Sequence, residues 1–206
     1  MAIDPEHERW NARFAAAPDY VFGTAPNQFL VSQRARLKPG QKALAVADGE
    51  GRNGVWLAQQ GLEVLSVDVS PAAQDKAKKL AAANGVAIAT ELADITRWRW
   101  PVERFDVVAA IMIQFAQSPA REAIFGAMKT ALKRGGLVII QGYRPEQLAY
   151  KTGGPPNAEN MYTEEMLRRE FGDFAILHLR AHDDPIAEGA GHSGMSALID
   201  MVAQKP

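Results

Sequence analysis

The stretch Ala43-Leu-Ala-Val-Ala-Asp48-Gly49-Glu-Gly51-Arg-Asn53-Gly54 decides the fold of this chain of 206 residues. It reads as a short apolar strand, a glycine-rich turn and the start of a helix, and the next apolar run, Leu62 to Val67, ends at Asp68. Glycines at the carboxyl end of a parallel strand accept positive φ angles and let backbone N–H groups approach a ligand. A carboxylate after the following strand can accept two hydrogen bonds from vicinal ribose hydroxyls. The pattern therefore predicts a nucleoside-cofactor site, although the glycine triplet alone would also fit an ordinary turn.

Length and charge restrict the functions that this chain can have. A chain of 206 residues is long enough for one α/β domain with a core, but too short for a cofactor domain plus a full substrate domain. The 23 basic and 24 acidic residues give a net charge of -1, which favours neither nucleic acid nor a membrane surface as partner. We therefore expect a small-molecule substrate, and a monomer or a homodimer.

The absence of cysteine excludes several kinds of chemistry, and the distribution of polar and apolar residues predicts a cellular location. The chain has no cysteine, which excludes disulfides, thiolate metal sites and a thiol nucleophile, and we expect no bound metal. The first residues are polar and charged, unlike a secretory signal, and no apolar run approaches the ~20 residues that span a bilayer. The sequence thus predicts a soluble, cytoplasmic protein.

Apolar runs alternate with helical patterns in the order of a doubly wound sheet. Parallel strands are predicted near residues 42–47, 62–67, 86–91, 105–112 and 136–142. Helices are predicted near residues 52–60, 71–84 and 119–133, the second opened by Ser70-Pro71 and the third ended by Lys133-Arg-Gly-Gly136.

The pattern changes after residue 142. Residues 143–162 form a connection long enough to be a lid, and a helix is predicted near 163–171. Two runs, Phe174 to His182 and Met195 to Ala203, then flank a glycine-rich stretch with no helix between them, which predicts an antiparallel hairpin. We therefore expect a single domain made of four parts: a helical cap (1–36), a cofactor-binding half (37–142), a lid-like loop (143–162) and a terminal helix with a hairpin (163–206).

Five motifs occur in the order typical of the class I S-adenosylmethionine-dependent methyltransferases, which the chain resembles over about residues 43 to 140. They are Asp48-Gly-Glu-Gly-Arg-Asn53, Val67-Asp68-Val-Ser70, Leu92-Ala-Asp94, Phe105-Asp-Val-Val108 and Leu132-Lys-Arg-Gly-Gly-Leu-Val-Ile139. The resemblance implies a Rossmann-like, doubly wound α/β fold whose seven strands follow the order 3-2-1-4-5-7-6. The glycine turn, together with Trp10 and the run Tyr20 to Asn27, is most similar to small bacterial methyltransferases of the tellurite-resistance type.

The resemblance also implies S-adenosylmethionine as cofactor and assigns residues to it. The glycine turn would lie beside the methionine part, Asp68 would bind the ribose, and Asp94 with Ile95 would meet the adenine edge. The residues expected to bind the cofactor are Asp48, Gly49, Gly51, Asn53, Asp68, Val69, Asp94, Ile95 and Ile111. Many members of the class have an acid at the position of Ala45 and a glycine at that of Ala47, so Asp48 is a candidate to replace that acid at the cofactor ammonium.

The loops after the fourth, fifth and sixth strands carry the candidates for acceptor chemistry, because ligands bind outside the carboxyl ends of parallel strands. His192 is the candidate base at neutral pH, with a hydrogen bond within the turn as its structural alternative. Tyr143 and Arg144 either assist catalysis or anchor the lid. The residues expected to contact the substrate are Trp10, Tyr20, Phe22, Gln114 and Tyr150.

The expected function is methyl transfer to a small-molecule nucleophile, such as a thiol or a chalcogen oxyanion. Two alternatives stay open. Gly49-x-Gly51-x-x-Gly54 with Asp68 also satisfies the fingerprint of an NAD(P)-dependent oxidoreductase. The second alternative is a protein that binds S-adenosylmethionine without catalysing methyl transfer. The arginine-flanked Trp98 and Trp100 are interpreted as packing residues, since the net charge does not favour nucleic acid.

Overall fold

A computed structural model describes residues 5–189 and 192–206. Its α-helices are α1 (Pro5–Ala16), α2 (Gln28–Ser32), α3 (Arg52–Gln59), α4 (Pro71–Ala83), α5 (Ala120–Ala131), α6 (Gln147–Tyr150) and α7 (Glu164–Glu170). Its strands are β1 (Lys42–Val46), β2 (Glu63–Asp68), β3 (Ala89–Leu92), β4 (Phe105–Ile111), β5 (Leu132–Tyr143), β6 (Ala175–Glu188) and β7 (His192–Gln204). Two short 3₁₀ helices cover Arg34–Arg36 and Ala158–Asn160.

The strands form one seven-stranded sheet of order β3-β2-β1-β4-β5-β7-β6. The β1–β2, β2–β3 and β4–β5 pairs are parallel, and β7 runs antiparallel to β5. This order confirms the predicted fold class, including the seventh strand inserted between the fifth and the sixth. None of the helices in the described ranges has the length and apolarity that a membrane crossing needs.

The described residues fall into two compact units. The boundary after residue 98 lies inside the predicted cofactor-binding half. The first unit contains residues 5–98 and 188–189, and the second contains residues 99–187 and 192–206.

In the first unit, local sequence explains where α4 begins, and packing explains where β3 begins. The α4 helix starts as predicted, because the Ser70 hydroxyl accepts a hydrogen bond from the Ala73 N–H and Pro71 occupies the first turn. The β3 strand begins later than its apolar run, at Ala89, since Val86 and Ile88 pack instead against the cluster around Val55 and Leu80 on α3 and α4.

In the second unit, the predicted end of α5 was wrong. The helix ends at Ala131, and Lys133 lies inside β5 rather than at the helix terminus. Its ammonium bonds both carboxylate oxygens of Asp106 on β4, each at 2.9 Å. The Gly135 N–H donates to the Lys205 carbonyl and the Lys205 N–H to the Gly136 carbonyl. These pairings extend the strand backwards through a segment that the sequence indicated as a turn.

The hairpin and the long connection also differ from the prediction. The β6 strand continues to Glu188 and β7 begins at His192, so His192 belongs to a strand; Ala190 and Gly191 lie outside the described residues. The connection 143–162 contains α6 and a 3₁₀ helix. The amide of Gln147, which is 1% exposed, accepts from the Ala197 N–H and donates to Thr152 and Gly153. This segment is therefore fastened to β7.

Candidate functional site

Three residues in the turn after β1 have left-handed backbone conformations. Gly49 has a φ of 58°, Gly51 a φ of 86° and the non-glycine Ala47 a φ of 47°. A Cβ on Gly51 would lie 2.6 Å from the Cβ of Ala77 on α4, so this glycine is required by packing as well as by its φ. Ala47 adopts this conformation at the steric cost that an L side chain has there.

Asp68 ends β2 with its carboxylate directed at the glycine turn. Oδ2 accepts from the Gly49 N–H at 2.8 Å, and Oδ1 accepts from the Ser70 N–H at 2.9 Å. Burial raises the pKa of Asp68, and the backbone N–H groups of Ser70, Gly49 and Val69 oppose this rise. A carboxylate offers about four lone-pair positions, so Asp68 keeps acceptor capacity for hydroxyl donors. The residue fits the ribose role predicted for it.

Asp48 faces the first turn of α3. Both of its carboxylate oxygens accept from the Gly54 N–H at 3.2 Å, and Oδ2 also accepts from the Ser66 hydroxyl at 2.8 Å. A Cβ on Gly54 would lie 2.4 Å from Oδ2, so the third glycine makes room for this carboxylate. Burial raises the pKa of Asp48 to about 7, against the lowering effect of the Ser66 and Gly54 hydrogen bonds. Its contact with a cofactor ammonium stays a prediction.

Asp94 and Ile95 follow β3, where the adenine edge is predicted. The Thr96 N–H and hydroxyl donate to Asp94 Oδ1 at 2.9 and 2.7 Å. The second oxygen, Oδ2, lies 3.6 Å from Nε2 of His7 on α1. Ile95 is buried. This contact with His7 was not predicted from the sequence.

Asn53 and Arg52 bind protein groups rather than point at a ligand. Asn53 Oδ1 accepts from the Asn27 N–H at 2.9 Å, which does not support a cofactor contact for Asn53. Arg52 Nη2 pairs with Glu188 Oε2 at 2.6 Å, and Asn27 Nδ2 donates to Glu188 Oε1 at 2.8 Å. This buried network connects the glycine turn, residues 25–27 and the end of β6.

Glu50 was missed by the sequence reading, which gave it no role. Its Oε2 accepts from the Val21 N–H at 2.7 Å, and its Oε1 pairs with the Lys76 ammonium at 2.9 Å. Lys76 also donates to the carbonyls of Ala17 and Asp19 at 2.9 and 2.7 Å. An acid followed by a lysine 26 positions later carries no local signal, so only the folded chain reveals this pair.

The amino-terminal aromatic residues do not all share one role. Trp10, Phe14 and Phe22 form a cluster with ring centroids 5.7 to 6.4 Å apart, and the Arg13 guanidinium lies over the Trp10 and Phe22 rings. Tyr20 instead packs against α3 and α4, and its hydroxyl donates to the Lys76 carbonyl at 3.3 Å. The structure thus gives Tyr20 a packing position, which does not support its predicted substrate contact.

In the second unit, Tyr143 and His192 lie together at the end of β5 and the start of β7. Their ring centroids are 5.6 Å apart, and Tyr143 is buried with Met161 and Leu198. Ile111 ends β4, and the next residue, Met112, has a φ of 57°. The contact of Ile111 with the cofactor stays a prediction.

Gln114 is buried and binds backbone rather than facing open space. Its amide oxygen accepts from the Tyr143 N–H, and its Nε2 donates to the Tyr143 carbonyl at 2.8 Å. Both ends of the amide are thus bound to one residue of β5. This geometry fixes the loop after β4 and does not support a substrate contact for Gln114.

Arg144 and Tyr150 fasten the connection after β5. Arg144 Nε donates to the Leu198 carbonyl at 3.0 Å, and its Nη2 pairs with Asp183 on β6. Tyr150 donates its hydroxyl to the other oxygen of Asp183 at 3.0 Å. Of the two roles that the sequence left open for Arg144, the geometry favours anchoring. Within residues 5–189 and 192–206, no group of three histidine or acidic side chains is arranged to hold a metal ion.

Residues 43–136 match the family model described as a methyltransferase domain. The glycine turn, the acid after β2 and the strand order occur in this matched region and around it. This region, a little under half of the chain, is therefore similar to a methyltransferase domain. No curated protein sequence matches the chain.

Solved structures with low sequence identity share the fold. TehB from Haemophilus influenzae is 19% identical with a TM-score of 0.73, and the alignment covers 96% of this chain and 67% of that one. A protein studied for the conversion of a disulfide bond into a thioacetal group during echinomycin biosynthesis is 19% identical, with a TM-score of 0.78 over 97% and 91% of the two chains. The N-methyltransferase NodS from Bradyrhizobium japonicum WM9 is 14% identical, with a TM-score of 0.68 over 98% of both.

Proposed function

We propose that this protein transfers the methyl group of S-adenosylmethionine to a small-molecule nucleophile, with a thiol or a chalcogen oxyanion as the favoured acceptor class. The similarity of the glycine turn and the amino-terminal segment to small bacterial enzymes supports a small acceptor. The near-neutral charge of the chain supports it too, since a nucleic-acid acceptor would favour a basic protein.

The observation that carries the proposal is the carboxylate of Asp48 at the start of α3. In dinucleotide enzymes the N–H groups of this helix start bind the pyrophosphate. Here the Gly54 N–H is bound to Asp48, and Asp68 holds the Gly49 N–H. Asp48 thus occupies the helix-start N–H group that a diphosphate would need, whereas an acid at this place suits a cofactor with a sulfonium and an ammonium group. This arrangement disfavours the NAD(P)-dependent alternative.

The residues of the first unit have distinct proposed tasks in binding. Asp68 accepts the ribose hydroxyls, Gly49 and Gly51 give close backbone approach, and Asp94 with Ile95 borders the adenine. When bound, S-adenosylmethionine supplies an electrophilic methyl group that a nucleophile takes by in-line displacement. The protein then has to orient the acceptor at ~3 Å from that carbon and exclude water.

The residues of the second unit are assigned to the acceptor. A thiol has to lose a proton, and His192 is the proposed proton acceptor because imidazole titrates near neutral pH. Tyr143, which packs against the His192 ring, orients it. An oxyanion acceptor arrives without a proton to lose, so its transfer would not depend on the His192 imidazole.

The test is a binding and turnover experiment on the full chain. Calorimetry should show binding of S-adenosylmethionine and of its demethylated product but not of NADH. Radiolabelled methyl transfer is then measured to thiols, selenite, tellurite and small amines. A protein that binds neither adenosyl compound at millimolar concentration is not a methyltransferase. Binding without transfer to any acceptor would favour the non-catalytic alternative.

His192→Gln separates the two acceptor classes. The glutamine keeps hydrogen-bonding capacity but cannot take a proton, so transfer to a thiol should lose its rate at neutral pH and recover as the thiol ionises at high pH. Transfer to an oxyanion should be little changed. Equal losses with both acceptors at every pH would contradict the base role.

A further inference from the structure

Residues 49–53 of the glycine turn lie against successive parts of residues 14–27. A Cβ on Gly49 would lie 3.4 Å from the Phe14 ring. Glu50 accepts from the N–H groups of Val21 and Phe22. Farther along, Arg52 donates to the Ala25 carbonyl at 3.3 Å and Asn53 accepts from the Asn27 N–H. The turn and the amino-terminal segment are thus matched in order along their length.

One face of α1 meets the other predicted cofactor contacts. His7 lies beside Asp94, where the adenine is expected. One turn later, Asn11 Oδ1 accepts from the Ser70 hydroxyl at 2.8 Å and the Ala72 N–H at 3.0 Å, next to the predicted ribose acid. Phe14 then meets Gly49. Positions i, i+4 and i+7 share one face of a helix, so α1 follows the line from adenine to methionine.

Glu50 and Lys76 form a buried ion pair, and both side chains also bind the backbone of this segment. Glu50 is 3% exposed. The Lys76 ammonium has three oxygen partners at 2.7 to 2.9 Å: Glu50 Oε1 and the carbonyls of Ala17 and Asp19. The Tyr20 ring lies under the same ammonium at 5.9 Å. Glu50 also accepts from the Val21 and Phe22 N–H groups. Lifting residues 17–22 therefore leaves these N–H groups and the Ala17 and Asp19 carbonyls without their charged partners, while the ion pair itself stays in place.

We propose that the amino-terminal segment, residues 5–27, is the gate of the cofactor site, and that the Glu50–Lys76 pair is the latch that keeps it closed. The inference rests on the proposed function and extends it, since it makes two residues outside the predicted cofactor contacts control cofactor exchange. The gate covers the line of predicted contacts, so the cofactor enters and leaves only when the latch opens. Weakening the latch therefore accelerates entry and exit together.

The test is the kinetics of S-adenosylhomocysteine binding, followed by stopped-flow tryptophan fluorescence with Trp10 as a reporter inside the gate. Lys76→Met keeps most of the length of the side chain and removes its charge and its hydrogen-bond donors. We expect both the association and the dissociation rate to rise on the order of tenfold, equivalent to about 1.4 kcal/mol of latch free energy, while Kd stays within about twofold. Lys78→Met is the matched control, because Lys78 lies on the same helix and pairs with the exposed Asp75. It should change neither rate.

A second variant and a second readout protect the test from a folding defect. Glu50→Gln removes the charge and keeps an oxygen for the Val21 N–H, and it should act in the same direction as Lys76→Met. Chymotrypsin cleavage at Tyr20 and Phe22 should be slowed by bound S-adenosylhomocysteine in the parent protein. It should be faster in both variants, with and without the ligand.

The outcomes are distinguishable. A rise in the dissociation rate alone, with Kd rising by the same factor, would mean that the pair stabilises the bound ligand and is not a latch. Unchanged rates in both variants would overturn the gate while leaving the proposed function intact. Failure of the parent protein to bind S-adenosylhomocysteine would overturn the proposed function itself.

Discussion

Replacing Asp48 by asparagine should remove a large part of the pH dependence of stability. Burial disfavours the charged form and raises the pKa of the Asp48 carboxyl from the ordinary 3.8 to about 7 in the folded protein. Between these two pH values the folded state binds a proton that the unfolded state has lost. The free energy of unfolding therefore falls as the pH rises from about 4 to about 7 and is level above that range.

The magnitude follows from the two pKa values. A difference of about 3 pKa units corresponds to about 4 kcal/mol, which the parent protein loses across this pH range. The side chain introduced by Asp48→Asn is uncharged, and it would keep an oxygen for the Gly54 N–H and an amide group that donates to the Ser66 hydroxyl. The variant should consequently be more stable than the parent at pH 8 and approach it at pH 4.

Urea unfolding of both proteins at intervals from pH 4 to pH 8.5 measures this effect as a difference, so that titration of other groups cancels. Asp75→Asn, which removes a carboxylate exposed on α4, is the control and should track the parent. Parallel stability curves for Asp48→Asn and the parent would refute the reasoning. So would a variant that is less stable than the parent at pH 8.

Three further substitutions test the turn. Ala47→Gly should raise the free energy of unfolding by about 0.5–1 kcal/mol in urea titrations, because the steric strain relieved at a φ of 47° exceeds the added entropy of the unfolded chain. A lower free energy of unfolding in the variant would mean that Ala47 is unstrained. Gly51→Ala should cost at least about 2 kcal/mol more than Gly40→Ala, since both glycines have positive φ but only Gly51 would strike Ala77; equal thermal or urea midpoints would contradict the clash. Asp68→Ala should weaken S-adenosylmethionine binding by about 1.5–3 kcal/mol in calorimetry, and an unchanged Kd would remove Asp68 from the ribose site.

The strand order could be predicted because each step depends on local signals. Apolar runs, helix starts such as Ser70-Pro71 and the missing helix before the last strand are all readable within about ten residues. The end of α5 could not be predicted in this way, because Lys133 lies in β5 and pairs with Asp106, which is 27 positions earlier in the sequence. The extent of β7 was missed for a similar reason: a glycine-rich stretch indicates a turn, yet its second half begins a strand at His192.

The residues of the candidate site likewise fall into those that local sequence identifies and those whose role depends on distant partners. Asp68 and Gly49 were recognised by their place after a strand, and the structure brings the carboxylate to the Gly49 N–H. Glu50 could not be recognised, because its partner Lys76 comes from the next helix and its second partner from the amino-terminal segment. Gln114 was assigned to the substrate from its position after β4, but position alone cannot tell that both ends of its amide bind Tyr143.

The turn Gly49-Glu-Gly-Arg-Asn53 shows why a motif match assigns too many side chains to the ligand. Its glycines set the backbone path, and one of them also admits α4 at van der Waals distance. Its three side chains bind the protein itself: Glu50 the backbone of Val21, Arg52 the carboxylate of Glu188, and Asn53 the backbone of Asn27. A sequence match records that these residue types occur together, but not whether they are kept for the cofactor or for the segment that covers it. In this chain the contacts favour the second reason, so changes at Glu50 and Asn53 should act on cofactor exchange and stability before they act on the chemistry of transfer.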